Sequence, residues 1–201
     1  MNSVYLYDYV NCLERVLAVA YKRQYSLNAL ERLISYSPFF QKIERDSLVA
    51  PIIDEHILIN GFFPYVKVDL DDLPTYNQCL WAAESYLRIQ KETGLTFEAI
   101  FLYCPIKKMY EQFNVFHEMD FSQIINYFKE LYLSQSIFEI LMKRFKYPIP
   151  YVSNKTGISS QTLYSLKSRR RDIKKLNVES VCKIANVFNV RVETIAELKI
   201  Q

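Results

Sequence analysis

Only three of the 201 residues are glycine, where the usual frequency of about 7% would give about fourteen. The chain accordingly has no G-x-G-x-x-G, no G-x-x-x-x-G-K-[ST] and no G-x-S-x-G sequence, the motifs that cradle phosphates or hold a nucleophile on a sharp turn. A fold rich in tight β-turns is also disfavoured, because such turns rely on glycine at positive φ. The scarcity therefore argues against dinucleotide-binding, phosphate-loop and nucleophile-elbow enzymes and against a strand-rich fold.

Apolar residues recur at spacings of three and four along most of the chain, which is typical of amphipathic helices. The pattern predicts helices over about 4–22, 74–92 and 120–133, and Gly94 stands where the second of these should end in an αL cap. The alternation within 57–70 instead suggests a small β-hairpin. We predict a mainly α protein whose N-terminal part contains this possible hairpin.

The compartment is indicated by what the sequence lacks. The longest apolar run, Ala99 to Ile106, is far shorter than the ~20 residues of a membrane-spanning helix, and residues 1–5 do not resemble a signal peptide. No two cysteines lie within five residues of each other, so we expect buried free thiols; the four are Cys12, Cys79, Cys104 and Cys182. We predict a soluble, cytoplasmic protein with no cofactor.

Charge divides the chain into two unequal parts. Residues 1–135 carry 12 Lys/Arg against 17 Asp/Glu, whereas residues 136–201 carry 13 Lys/Arg against 5 Asp/Glu. Such asymmetry suggests a module that faces nucleic acid, joined to a part that does not. We predict an acidic, mostly helical domain over 1–134 and a basic domain over 135–201.

Residues 151–166, YVSNKTGISSQTLYSL, have the spacing of two helices joined by a tight turn. Ser153 lies four residues before Gly157 and is small enough to let the helices cross closely, while Gly157 supplies positive φ at the turn. Ser159 or Ser160 can cap the second helix. Apolar residues at Ile158, Leu163 and Leu166 would then hold the two helices together.

With further helices predicted over about 137–146, 178–188 and 192–198, this segment resembles the lambda-repressor-like (Cro/repressor-type, XRE-like) helix-turn-helix domains. The resemblance covers residues 136–198 and is carried by Lys155 to Leu163 and by Ile184 to Val190. The family often has glutamine at the start of its second helix, where this chain has Ile149, and its domain is more often N-terminal. The resemblance implies a five-helix domain that binds duplex DNA.

The resemblance also implies which residues meet DNA. The helix around 159–168 would lie in the major groove, where Gln161 can pair with adenine while hydroxyl groups contact bases or phosphates. The basic segment that follows, in which six of the nine residues 167–175 are Lys or Arg, would attract phosphates. The predicted DNA contacts are Ser159, Ser160, Gln161, Thr162, Tyr164, Ser165, Lys167, Arg169, Arg170, Arg171, Lys174 and Lys175, and Gly157 is the structural turn.

The sequence therefore predicts a DNA-binding transcriptional regulator, most simply a repressor and a homodimer. Residues 1–134 would sense a small-molecule effector or mediate dimerisation. In an alternative, the protein is an antitoxin or a phage-derived inhibitor whose acidic part binds a protein partner while the basic part represses its own promoter.

A third hypothesis is a metal-dependent enzyme, which we regard as the weakest. Residues 117–120, His-Glu-Met-Asp, bring together an imidazole and two carboxylates, and Glu84, Glu98 and Glu111 offer further acids. The HExxH motif is absent, however, and Asp120 is equally explained as a helix N-cap. We predict no catalytic or metal-binding residue.

Overall fold

The computed structural model describes residues 3–22, 26–45 and 74–197. Within these ranges the chain is mainly helical and contains no β-strand. The helices are α1 Ser3–Lys22, α2 Leu27–Tyr36, α3 Pro38–Glu44, α4 Tyr76–Thr93, α5 Phe97–Tyr103, α6 Ile106–Phe116, α7 Phe121–Ser134, α8 Ile137–Phe145, α9 Ile149–Thr156, α10 Ser160–Lys167, α11 Val178–Phe188 and α12 Val192–Ile195, with a 3₁₀ turn at Ile173–Lys175. The mainly α prediction is confirmed, and the predicted hairpin at 57–70 lies outside the described residues.

The N-terminal helices pack around α4 and α5. Helix α4 contacts α1, α6 and α7 along its length, while α2 packs on α3 and α5. Large aromatic side chains fill the space between them: Tyr86 is fully buried and meets Phe101 edge to face, with ring centroids 4.9 Å apart. Such packing accounts for the high aromatic content of this part of the chain.

The ends of these helices follow local sequence signals. Gly94 ends α4 at φ 68°, in the left-handed conformation that glycine adopts without strain. Pro105 separates α5 from α6, and the Asp120 carboxylate caps α7 by accepting the Ser122 N–H at 2.8 Å. These predictions from sequence are confirmed.

The C-terminal helices build on Phe138, Leu141 and Phe188, all of which are buried. Helical periodicity predicts that Phe145 and Val178 face inward, and both predictions are wrong: Phe145 is 38% exposed and Val178 is 76% exposed. Phe145 occupies the last turn of α8, where it covers the rings of Tyr147 and Phe188 from outside. Val178 is the first residue of α11 and lies before the turn that contacts the core.

The predicted boundary at 134/135 falls between α7 and α8, which are only two residues apart. Helices on its two sides pack against each other: α5 contacts both α8 and α12. Their buried side chains belong to one continuous apolar core. The orientation of the basic part relative to the acidic part is therefore fixed by side-chain packing as well as by the chain connection.

The cysteines behave as small apolar side chains. Cys12, Cys79 and Cys104 are buried and Cys182 is half-buried. Burial raises the pKa of the Cys104 thiol to about 12, so that it stays protonated and unreactive at neutral pH. Among the described helices, none has the length and apolar character needed to cross a membrane.

Candidate nucleic-acid interface

Helices α9 and α10 are joined by a turn that hydrogen bonds hold from within. Gly157 has φ 72°, and its N–H donates to the Ser153 carbonyl at 2.8 Å. The Ser153 hydroxyl donates to the Ile158 carbonyl at 2.7 Å, so this small residue also closes the turn. The predicted turn at Gly157 is confirmed, and it fixes the direction in which α10 leaves α9.

Helix α10 has one buried and one exposed face. Ser159 is its N-cap and accepts the Thr162 N–H at 3.3 Å, while Leu163 and Leu166 are buried against the neighbouring helices. On the opposite face Gln161 and Tyr164 are exposed, Tyr164 by 53%. The exposed face is therefore polar and displays an amide and a phenol.

A second serine attaches the far end of α10 to the domain. Ser136 caps α8 by accepting the Glu139 N–H, and its hydroxyl donates to the Lys167 carbonyl at 3.0 Å. Lys167 is the last residue of α10. Both ends of α10 are thus held by side-chain hydrogen bonds, so its exposed face is presented in a defined orientation.

Some of the predicted DNA contacts on α10 are already hydrogen-bonded within the protein, and others are not. The Ser165 hydroxyl donates to the Gln161 carbonyl at 2.9 Å, and the hydroxyls of Ser159 and Thr162 lie 3.0 Å apart. The side chains of Gln161 and Tyr164 make no hydrogen bond to any residue described here. Gln161 and Tyr164 therefore present unused hydrogen-bonding groups to solvent.

The basic segment after α10 is a short loop pinned at one apolar residue. Ile173 is buried in the 3₁₀ turn, and Asp172 caps this turn by accepting the Lys174 N–H at 2.9 Å. The cationic side chains around it are exposed, and none forms an ion pair within the described part of the chain; they are Arg170, Arg171, Lys174 and Lys175. This loop places four cations beside the exposed face of α10.

Arg169, in the same loop, is hydrogen-bonded to a distant part of the protein. Its guanidinium donates to the carbonyls of Tyr132 and Leu133, the latter at 2.9 Å, at the C-terminal end of α7. It also lies over the Tyr132 ring, 5.4 Å from the centroid. A cation at the end of a helix satisfies carbonyls that have no partner within the helix. Arg169 therefore ties the basic loop to the acidic part of the molecule.

Two tyrosines and a glutamate complete this contact, which we name the Arg169 clamp (Tyr103, Tyr132, Arg169 and Glu197). The Tyr103 hydroxyl donates to one oxygen of the Glu197 carboxylate and the Tyr132 hydroxyl to the other, the second at 3.2 Å. Burial and the Glu197 carboxylate raise the pKa of Tyr132 to about 12. Both hydroxyls therefore remain donors at neutral pH.

A second contact between the two parts, which we name the Arg191 seam, lies at the start of α12 (Tyr36, Glu44, Glu98, Asn189 and Arg191). Arg191 meets both oxygens of the Glu44 carboxylate, at 2.8 and 2.9 Å, and its backbone N–H donates to Glu98 at 2.9 Å. Tyr36 donates to Glu98 at 2.8 Å and lies 3.0 Å from the Asn189 carbonyl oxygen. The seam is an ion-pair network with Arg191, Glu44 and Glu98 at its largely buried centre and Tyr36 and Asn189 at its exposed edge.

The ion pair at the centre of the seam is strongly desolvated. The Glu44 side chain is 1% exposed and that of Arg191 is 12% exposed. Burial raises the pKa of the Glu44 carboxyl above its ordinary value, while Arg191 and the Phe97 N–H act to lower it. A buried carboxylate is tolerated only with such partners.

Sequence reasoning missed these residues. Arg191 was counted with the basic charge of the C-terminal part, and Glu44 with the acidity of the N-terminal part. A signal was available: Glu44 follows Phe40 and Ile43 on the buried side of α3, and a carboxylate on an apolar face needs a partner. The sequence gives no indication of which cation provides it.

Several of the residues considered for a metal-dependent enzyme have structural partners. Glu84 pairs with Arg88 at 2.5 Å, and Asp120 is a helix cap. The His117 ring stacks on Phe113 with centroids 4.4 Å apart. Within the described ranges, no three His, Cys, Asp or Glu side chains are grouped so as to hold a metal ion.

Comparison with known proteins does not add to this picture. No protein-family model, no curated protein and no solved structure matches the chain.

Proposed function

We propose that this protein is a sequence-specific DNA-binding transcriptional regulator that acts as a repressor and reads the major groove with α10. The observation that carries the proposal is the combination of one fixed, exposed polar helix face with four exposed cations in the adjoining loop that form no ion pair among the described residues. Base edges are read by side chains such as amides, and phosphates are bound by flexible cations. The two-helix turn with Gly157 at φ 72° supports the same proposal.

Each group has a distinct role in this proposal. Gln161 reads a base, as its amide can donate to and accept from adenine N7 and N6. Tyr164 contacts phosphate or sugar, while Arg170, Arg171, Lys174 and Lys175 neutralise phosphates. Arg169 acts as a positioning residue, because its guanidinium already serves the carbonyls at the end of α7.

The acidic part serves regulation and self-association in this proposal. Its negative charge keeps it away from the DNA backbone, so the basic part alone faces the duplex. A symmetric dimer would place two α10 helices on half-sites about one helical turn apart. The clamp and the seam would transmit the arrangement of the acidic parts to the two reading helices.

The proposal is tested by selecting binding sites from random duplexes and measuring the solution mass of the complex. We expect one enriched sequence with two related half-sites, bound by two copies of the chain. The affinity for that site should fall with salt, with a log–log slope of about −0.9 for each phosphate neutralised. No enriched sequence, or an affinity that salt leaves unchanged, would contradict the proposal.

Repression is tested with a reporter gene whose promoter overlaps the selected site. Supplying the protein should lower reporter expression, and a scrambled site should abolish the effect. Increased expression would show instead that the regulator activates.

A further inference from the structure

A cavity of about 400 Å³ lies where α2 and α5 of the acidic part meet α8 and α11 of the basic part. We name it the junction cavity. It is separate from the proposed DNA interface, because none of the predicted DNA contacts lines it. Its volume falls within the roughly 300–1,000 Å³ of small-molecule sites.

The walls of the junction cavity differ in character. One wall is polar and comes mainly from a single face of α2, on which Asn28, Glu31, Arg32 and Ser35 recur at helical spacing. The other wall is apolar and largely aromatic; it contains Phe101, Leu102, Phe145, Phe188 and Val190. A ligand that fits both walls must have a polar head and an apolar body.

The acidic groups of the cavity already have partners. Glu31 accepts the Ile106 N–H at 2.9 Å with one carboxylate oxygen and meets Arg144 at 3.2 Å with the other. Glu98 accepts from the Tyr36 hydroxyl and from the Arg191 N–H. Neither carboxylate therefore needs a cationic ligand.

The basic groups are only partly used. Arg32 is exposed and makes no ion pair or hydrogen bond within the described part of the chain. Arg144 contacts Asn28 and Glu31 through one terminal nitrogen, Nη2, which leaves its other N–H groups without an acceptor among the described residues. The groups of the polar wall that still lack hydrogen-bond partners are therefore guanidinium N–H donors.

We propose that the junction cavity binds a small organic anion, a carboxylate or sulfonate with an aromatic or other apolar body. The planar guanidinium groups of Arg32 and Arg144 match the geometry of such an anion. The exposed ring of Phe145, together with Leu102 and Val190, provides the surface for its body, and the buried rings of Phe101 and Phe188 support that wall from behind. This site is an addition to the proposed DNA binding, and its test needs no DNA, so the two proposals can fail separately.

The test uses the full chain and anilinonaphthalene sulfonate, a fluorescent aromatic anion. We expect saturable binding of one molecule per chain, with displacement by benzoate and by longer aromatic carboxylates. Near-ultraviolet circular dichroism, measured alongside, should show that the tertiary packing is unchanged by the probe. Inorganic phosphate should not displace the probe at equal concentration, because it has no apolar body. Displacement by phosphate as effective as by the carboxylates would overturn the proposal.

Two variants locate the binding. Arg32→Gln should weaken binding about tenfold, the loss typical when a charge-assisted hydrogen bond is removed. Val190→Phe, which adds volume inside the cavity, should abolish it. Arg45→Gln is the matched control, because Arg45 is an exposed arginine that does not line the cavity.

Arg32 is exposed, so its variant should remain folded and can decide the matter if Val190→Phe does not fold. Equal affinity of Arg32→Gln and Arg45→Gln, or the absence of saturable binding to the parent chain, would overturn the proposal.

Discussion

Two regions of the molecule differ in how far apart along the chain their hydrogen-bonded residues lie. One is the turn between α9 and α10, and the other is the Arg191 seam. In the turn between the two helices, Ser153 bonds Ile158, five residues further along the chain. In the seam, Arg191 bonds Glu44, which lies 147 residues earlier. The first arrangement depends on adjacent residues, whereas the second exists only when the whole chain has folded.

The arginines of the basic part also differ in whether they contact residues distant in sequence. Arg170 and Arg171 face solvent, Arg169 is held by the end of α7, and Arg191 is nearly buried beside two carboxylates. A net charge of the basic part counts them equally. Arg170 donates only to the exposed Ser168 hydroxyl, at 2.9 Å, whereas Arg169 and Arg191 would have to leave helix carbonyls or carboxylates to bind phosphate. The charge available to phosphates is therefore smaller than the formal charge.

The largest expected effect is on the seam. Arg191→Ala should lower the free energy of unfolding by about 3–5 kcal/mol, because it leaves the Glu44 carboxylate buried without its cation. Urea unfolding followed by circular dichroism measures the change. Arg170→Ala is the control and should stay within about 0.5 kcal/mol of the parent chain.

A double variant sharpens the same test. Arg191→Met with Glu44→Gln removes both charges and should recover part of the stability lost in Arg191→Ala. If Arg191→Ala is as stable as the parent chain, the seam does not hold the two parts together.

The turn between α9 and α10 is held by residues that are close together in sequence. Gly157→Val should cost about 1–3 kcal/mol, because a branched residue is strained at φ 72°, and DNA binding should be lost. A Cβ at this position meets no atom within 4 Å, so the backbone conformation alone accounts for the cost. Gly157→Asn should therefore cost much less, since asparagine tolerates this conformation.

Unfolding midpoints of the two variants at Gly157 check the prediction. Equal losses for valine and asparagine would show that something other than backbone strain matters there. Parent-like stability and DNA binding in Gly157→Val would contradict the role given to this turn.

Base reading concerns a single exposed side chain. Gln161→Ala should cost about 1–3 kcal/mol at one base position and relax the preference there, with stability unchanged. Binding to a library randomised at each position of the selected site measures this. Gln123→Ala on α7 is a matched control, as another exposed helical glutamine; an unchanged preference in Gln161→Ala would remove Gln161 from the readers.

The smallest effects distinguish neighbouring arginines in one loop. Arg170→Gln should reduce the magnitude of the salt slope by about 0.9, the contribution of one phosphate. Arg169→Gln should leave that slope unchanged and instead lower stability by about 1 kcal/mol, because it removes the cap of α7. Salt titrations and urea unfolding of both variants check this; equal loss of slope in the two would mean that Arg169 also contacts phosphate.

Helix ends and the turn between α9 and α10 could be predicted from the sequence, because the residues that cause them lie within a few positions of each other. Gly94, Asp120, Gly157 and Ser159 were identified by the backbone conformation or the orphan N–H groups that each serves. Periodicity also identified Leu163 and Leu166 as buried. It was wrong for Val178, because periodicity does not show where along a helix the contact with the core begins.

Only part of the candidate DNA interface could be predicted from the sequence. Its position after Gly157 and its basic character follow from neighbouring residues, but the distinction between Arg169 and Arg170 does not. That distinction depends on where the end of α7 lies, and the two arginines are equivalent in any local pattern. The junction cavity has the same origin, since its walls come from four helices distant in sequence.

The sequence by itself determined the mainly helical fold, the ends of several helices and the turn between α9 and α10. These follow from periodicity and from capping, including the αL glycines Gly94 and Gly157. The tertiary structure alone decided which charges are used within the protein. Pairing Arg191 with Glu44 and Arg169 with α7 requires separate segments to meet, and a buried charge is stable only where the fold provides its partner.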